Sequence, residues 1–140
     1  MDEKMIVIDS VVLAAAALRR DARHREASKI IAQISAGKLG KCVFTDYILL
    51  ETLTLIRFSE RGGVDASNKA YEVLTSSERL ELIRLSDHEL KVAGEIFKKY
   101  PKLSFADSAT VALMQGRGTK ELISFDQGFD GVPGIARREI

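Results

Sequence analysis

The sequence predicts an α/β protein built on a central, largely parallel sheet. Three observations carry this reading. Short apolar segments of strand length recur along the chain, at residues 5–8, 41–45, 80–85 and 121–125. Helix-period patterns stand between them. Turn and stop signals separate one from the next. Alternation of this kind implies parallel strands covered on both faces by helices.

In chain order, Met5–Ile8 is a β-branched run ending at Asp9. Residues 11–18 offer an Ala-rich helix. Residues 24–36 place Ala27, Ile30, Ile31 and Ile34 at amphipathic spacing, and Gly37 and Gly40 end that helix. Residues 41–45 form the second strand. Residues 46–60 are helical, with Ile48, Leu49, Leu53, Leu55 and Ile56 apolar, and Gly62-Gly63 stops them. A further helix covers 64–75, and the third strand covers 80–85. Ser86-x-x-Glu89 is a capping-box pattern opening a helix over 86–100, which Pro101 breaks. A last long helix spans 105–115. The fourth strand, 121–125, ends at Asp126. The tail from Gly128 is interrupted by Gly and Pro, with one short edge strand expected around Ile135. The sheet therefore has four to five strands.

A length of 140 residues points to a single domain, 1–140, able to bury a core without disulfides. Hydrophobic residues make up 46% and charged residues 29%, ordinary for a globular chain. The longest apolar run, residues 11–18, is too short to span a bilayer. The N-terminus lacks the ordered regions of a signal peptide, so a cytoplasmic location without membrane association is expected. Cys42, the only cysteine, lies in an apolar strand and reads as a buried structural thiol. A net charge of +1 does not suit binding of nucleic acid by charge alone, but a cation held by carboxylates changes the local field.

Acidic residues fall at informative places. Asp9 and Asp126 directly follow strands, the edge at which open parallel sheets bind ligands. Two acids there repel each other unless a cation or protons intervene. Glu51 has Tyr47, Ile48, Thr54 and Leu55 at three and four residues, which places a carboxylate on or beside a core-facing stripe. Asp107 stands in the first turn of a helix. Each acid also has an ordinary explanation. Asp9 could cap the following helix, Asp107 could close a capping box with Ser104, and Asp126 could form a turn with Gln127 and Gly128. Glu51 could pair with Arg57 or Arg84. Jointly, four acids so placed are harder to explain as caps.

The chain resembles the PIN domain, especially the toxin subunits of VapBC toxin–antitoxin modules. The resemblance spans essentially the whole chain. It is carried by Ile6-Val-Ile-Asp-Ser-Val-Val-Leu13, Thr45-Asp-Tyr-Ile-Leu-Leu-Glu-Thr52, Leu103-Ser-Phe-Ala-Asp-Ser-Ala109 and Ile123-Ser-Phe-Asp-Gln-Gly-Phe-Asp130. It implies a three-layer α/β/α PIN-like fold. It carries the family's acidic quartet onto Asp9, Glu51, Asp107 and Asp126. Ser10 matches the hydroxyl residue after the first Asp, whereas Val11 stands where many members have a second hydroxyl. Asp130 matches a commonly acidic position and is held as an accessory residue, with a local turn or salt bridge as its alternative role.

The resemblance implies a metal-dependent endoribonuclease hydrolysing RNA phosphodiesters, the toxin of a pair with an antitoxin protein, and usually a homodimer. Carboxylates and water suit Mg²⁺ or Mn²⁺, and such a site needs no His or Cys nucleophile. Asp9 and Asp107 are assigned as direct ligands, Asp126 as a ligand or holder of a metal-bound water, and Glu51, also a candidate metal residue, as the group that orients or partly deprotonates the attacking water, directly or through the metal. His24 and His88 are expected at the surface. Arg19, Arg20, Arg23, Arg25, Arg137 and Arg138 are candidates for RNA phosphates or for the antitoxin, each with a solvated-charge alternative. Exposed apolar residues over 46–75 are a candidate dimer surface. A non-catalytic RNA- or protein-binding PIN fold is one rival reading. An Asp-nucleophile phosphatase is the other, disfavoured by Val11 where such enzymes carry a second Asp.

Overall fold

A computed structural model describes residues 4–139. Residues 1–3, read above for a leader, lie outside the described residues.

The chain runs β1 (Met5–Ile8), α1 (Ser10–Ala17), α2 (His24–Ser35), β2 (Lys41–Thr45), α3 (Asp46–Phe58), α4 (Val64–Ser76), β3 (Leu80–Ile83), α5 (Asp87–Lys99), α6 (Phe105–Arg117), β4 (Glu121–Ile123), a 3-10 turn (Gln127–Gly131) and β5 (Ala136–Arg138). The five strands form one sheet in the order β3-β2-β1-β4-β5. Every pairing is parallel.

Strand period two explains the layers. Ile6, Ile8, Cys42, Phe44 and Ile123 face one side and pack with Val12 and Leu13 of α1, Ala27, Ile30 and Ile34 of α2, and Ile48 of α3. Val7, Val43 and Leu122 face the other side and pack with Ala93 and Ile96 of α5 and Ala109, Ala112 and Met114 of α6. The result is the expected three-layer α/β/α arrangement, all parallel among the described strands. Cys42 is buried and unpaired, as expected of a structural thiol. No helix is long and apolar enough to cross a membrane among the described residues.

Two strands end earlier than the apolar pattern suggests, because side chains take over their backbone groups. The Leu85 N–H donates to Asp46 Oδ1 at 3.2 Å, which draws the chain off β3. After β4, the Ser124 hydroxyl accepts from the Asp126 N–H at 2.9 Å and begins a turn.

This topology fixes where a ligand can sit. From β1 the chain builds β2 and β3 on one side, then crosses to build β4 and β5 on the other. The reversal lies between β1 and β4, and in parallel sheets that crevice is the binding position. Ile8 pairs with Ile123 across it, and the Asp9 N–H donates to the Ile123 carbonyl at 3.1 Å.

Candidate metal centre

Asp9 leaves β1 in an extended conformation and serves as the N-cap of α1, its Oδ1 accepting from the Ser10 N–H at 2.8 Å. The helix therefore starts at Ser10, one residue before the apolar pattern. Asp9 Oδ2 accepts from the Ser124 hydroxyl at 2.6 Å. Both oxygens are thus oriented by donors, and the residue is only 1% exposed.

Asp107 is delivered by α6. Its Oδ2 accepts from the Ser104 N–H at 3.0 Å, and the Ser104 hydroxyl accepts from the Asp107 N–H at 3.0 Å. The capping box expected from sequence is therefore present. It holds one carboxylate oxygen and leaves Oδ1 unengaged by any protein donor among the described residues. Glu51 comes from the second turn of α3 and is half-buried. Its Oε1 accepts a short hydrogen bond from the Ser10 hydroxyl. The suggested ion pair with Arg57 or Arg84 is absent among the described residues: Arg57 donates to Ser67 and Asn68.

Asp9, Glu51 and Asp107 each offer an oxygen, and these oxygens lie within 4.8 Å of one another. Among the described residues, no ion pair reaches any of the three. Burial and mutual repulsion both disfavour the charged forms. Burial pushes the Asp9 carboxyl up to about 7, with the charges of Asp107 and Glu51 adding to it against the Ser124 and Ser10 hydrogen bonds. Burial likewise raises Asp107 to about 6, with Glu51 and Asp126 contributing repulsion against the Ser104 bonds. Three convergent oxygens in a partly desolvated crevice, without a protein cation, suit a hard divalent ion.

Asp126 stands apart from this trio. Its Oδ1 accepts from the Gly128 N–H at 2.8 Å, making the turn foreseen as its ordinary role. It is still near enough for its charge to raise Asp107. Asp130 is exposed and forms a bidentate pair with Arg137 at 2.8 and 3.1 Å, the local salt bridge foreseen for it.

Other expectations change. Arg137 is committed to Asp130 and to the Ser124 carbonyl at 3.0 Å, and Arg138 lies 3.6 Å from Glu121. Arg23 pairs with Glu139 at 2.9 Å and covers the Phe125 ring at 4.5 Å. These three arginines are engaged within the protein, while Arg19, Arg20 and Arg25 are exposed. His88 is exposed as expected. His24 is not: it is half-buried, its Nδ1 2.8 Å from the Ala15 carbonyl. A polar ring at the start of α2 satisfies the open carbonyl end of α1. The functional residue missed by sequence reasoning is Ser124. The available signal was a hydroxyl at the end of an apolar strand, which must find a partner once buried.

A carboxylate cluster at the switch point of a parallel three-layer α/β sheet defines a class of acidic sites that could hold a metal ion. Residues 6–135 match the PIN domain, and the chain belongs to the PIN-domain family. It is 31% identical over 121 residues to the VapC ribonuclease of Archaeoglobus fulgidus, covering 84% of this chain and 74% of that protein. Among solved structures, the sarcin–ricin-loop-cleaving toxin VapC20 of Mycobacterium tuberculosis superposes with a TM-score of 0.79 at 24% identity, over 91% of this chain and 95% of that one. VapBC2 from Rickettsia felis, solved on a DNA fragment of its promoter, gives a TM-score of 0.69 at 12% identity over 96% and 97%. At these identities the two structures support the fold alone.

Proposed function

We propose that this chain, as one PIN domain over residues 1–140, is a Mg²⁺- or Mn²⁺-dependent endoribonuclease and the toxin of a toxin–antitoxin pair. The observation that carries the reading is the convergence of Asp9, Glu51 and Asp107 at the β1–β4 crevice. Similarity to a VapC ribonuclease at 31% identity supports the reaction class.

A bound divalent ion would polarise the scissile phosphate and lower the pKa of a coordinated water. Asp9 and Asp107 are the proposed direct ligands. The Ser10 N–H and Ser124 hydroxyl fix the Asp9 oxygens, and Ser104 fixes one oxygen of Asp107. Glu51 takes the proton of the attacking water, and the Ser10 hydroxyl orients its carboxylate. Water oxygen bonds to phosphorus, the opposite P–O bond breaks, and the departing ribose oxygen takes a proton from bulk water, to which Glu51 returns its own. Asp126 supports the site from one side through its charge. Asp130 is an accessory to the fold of the tail.

We further propose a homodimer and an antitoxin partner. Exposed Leu50, Leu55, Phe58, Tyr71 and Val73 on α3 and α4 supply apolar area for such contacts.

The test is a titration of Mn²⁺ and Mg²⁺ against a labelled single-stranded RNA, with EDTA and Asp9→Asn as controls. Metal-stimulated cleavage lost in both controls supports the reading. RNA binding without cleavage at any metal concentration overturns it in favour of a non-catalytic module.

A further inference from the structure

Beside the acidic cluster runs a strip that the site described above does not use. Phe105 opens α6 two residues before Asp107, and Tyr47 lies one helical turn before Glu51 on α3. Their rings meet edge to face at 5.7 Å, so one aromatic pair joins the two helices that deliver these acids. Phe105 meets Phe97 of α5 in the same way, again at 5.7 Å. Phe97 is 46% exposed, an unusual setting for a large aromatic side chain.

Positive charge follows the same path. Lys99 ends α5, its ammonium 5.5 Å from the Tyr100 ring, and Lys102 lies in the following loop, residues 100–104; both are exposed and neither is paired with an acid among the described residues. The loop also touches the Asp126 turn: a Cβ on Gly128 would stand 3.0 Å from Asp126 Oδ1 and 3.5 Å from the Lys102 carbonyl oxygen. The strip thus begins at exposed Phe97 and ends against two elements of the acidic site.

An exposed aromatic ring beside lysines that lack acidic partners suits an unpaired nucleic-acid strand: the ring for a base, the cations for phosphates. A base paired within a duplex hides its face from such a ring. We infer that Phe97, supported by Phe105 and flanked by Lys99 and Lys102, binds an unpaired nucleotide of the RNA next to the scissile phosphate. The inference rests on the ribonuclease reading and assigns the base contact to Phe97.

The chain contains no tryptophan, so Phe97→Trp introduces a single reporter. Its emission is to be followed in EDTA, so that no cleavage intervenes, while the anisotropy of a labelled RNA reports binding independently. The expected result is quenching by single-stranded RNA and none by the matching duplex. Phe97→Ala should weaken single-strand binding about tenfold. Lys99→Ala and Lys102→Ala should each reduce the slope of log affinity against log salt by about 0.7. Circular dichroism melts check that the variants fold. Bound RNA with unchanged indole emission overturns the inference, even where the wild type cleaves. So does emission that changes with protein concentration and ignores RNA, which would assign this face to a second copy of the chain. Quenching in a protein that never cleaves would leave the strip standing and remove the nuclease reading instead.

Discussion

The hydroxyl of Ser124 donates to Asp9 Oδ2 at 2.6 Å, joining the ends of β1 and β4 across 115 residues of sequence. The same hydroxyl accepts from the Asp126 N–H, and the Ser124 carbonyl accepts from Arg137. One buried serine therefore connects the central acid, the last acidic turn and the tail.

Ser124→Ala should loosen all of this without opening a large cavity. Loss of a hydrogen bond to a buried charged group destabilises by about 1–3 kcal/mol. Loss of a group orienting a ligand lowers metal affinity about 10- to 100-fold. Calorimetric titration of Mn²⁺ checks the second effect and thermal melting the first. Mn²⁺ affinity equal to that of the wild type would show that Ser124 does not position Asp9.

Asp9→Asn separates charge from shape. The asparagine keeps an oxygen for the Ser10 N–H, and its amide can donate to the Ser124 oxygen in place of the bond Asp9 accepts. Cleavage is expected to fall to background. Metal-free stability at pH 8 is expected to rise, because a buried charge facing Asp107 and Glu51 is removed. A variant that melts below the wild type in EDTA at pH 8 would contradict this account of the site.

The pH dependence of the metal-free protein follows from the same groups. Asp9 and Asp107 are raised from 3.8 to about 7 and about 6. A group whose pKa is higher folded than unfolded binds more protons in the folded state, so stability falls as pH rises. The contribution is fully present below about pH 4 and is lost as pH climbs through about 6 and 7. The loss is on the order of a few kcal/mol, since each tenfold change in proton affinity is worth about 1.4 kcal/mol. In EDTA, melting temperature should fall from pH 5 to pH 8, and added Mn²⁺ should restore more stability at pH 8 than at pH 5. A flat profile in EDTA would show that burial does not raise the Asp9 and Asp107 carboxyls.

The sequence made the sheet and the three clustered acids of the candidate site legible because local chemistry dictated them. Asp9 ends a β-branched strand, Asp107 closes a box with Ser104, and Glu51 breaks the apolar stripe of α3. Each carries its signal within a few residues. Ser124 could not be read this way, since its partner is supplied by strand order: only the β1–β4 pairing brings it to Asp9. The engagement of Arg23, and the identity of Arg137 as the partner in the salt bridge foreseen for Asp130, were hidden for the same reason. Their partners, Glu139, Asp130 and the Ser124 carbonyl, assemble only when β5 joins the sheet. His24 was misplaced because its partner is the backbone of α1 rather than any patterned side chain.

Asp126 and Asp130 lie four residues apart in one turn, and their environments predict opposite outcomes. Asp126→Asn preserves the Oδ1 acceptor for the Gly128 N–H, so the turn should persist. What it removes is a negative charge that raises Asp107. Mn²⁺ affinity should fall about tenfold, in the range for groups supporting a metal ligand from outside. Asp130 is exposed and tied to Arg137, which holds its carboxyl below the usual range. An exposed pair of this kind contributes little, and Asp130→Asn should leave Mn²⁺ affinity and cleavage within about twofold of wild type. Arg137 would still donate to the Ser124 carbonyl, keeping Ser124 in place. Parallel titrations of the two variants decide the matter. Equal losses would bring Asp130 into the site, and no loss in either would confine the metal to Asp9, Glu51 and Asp107.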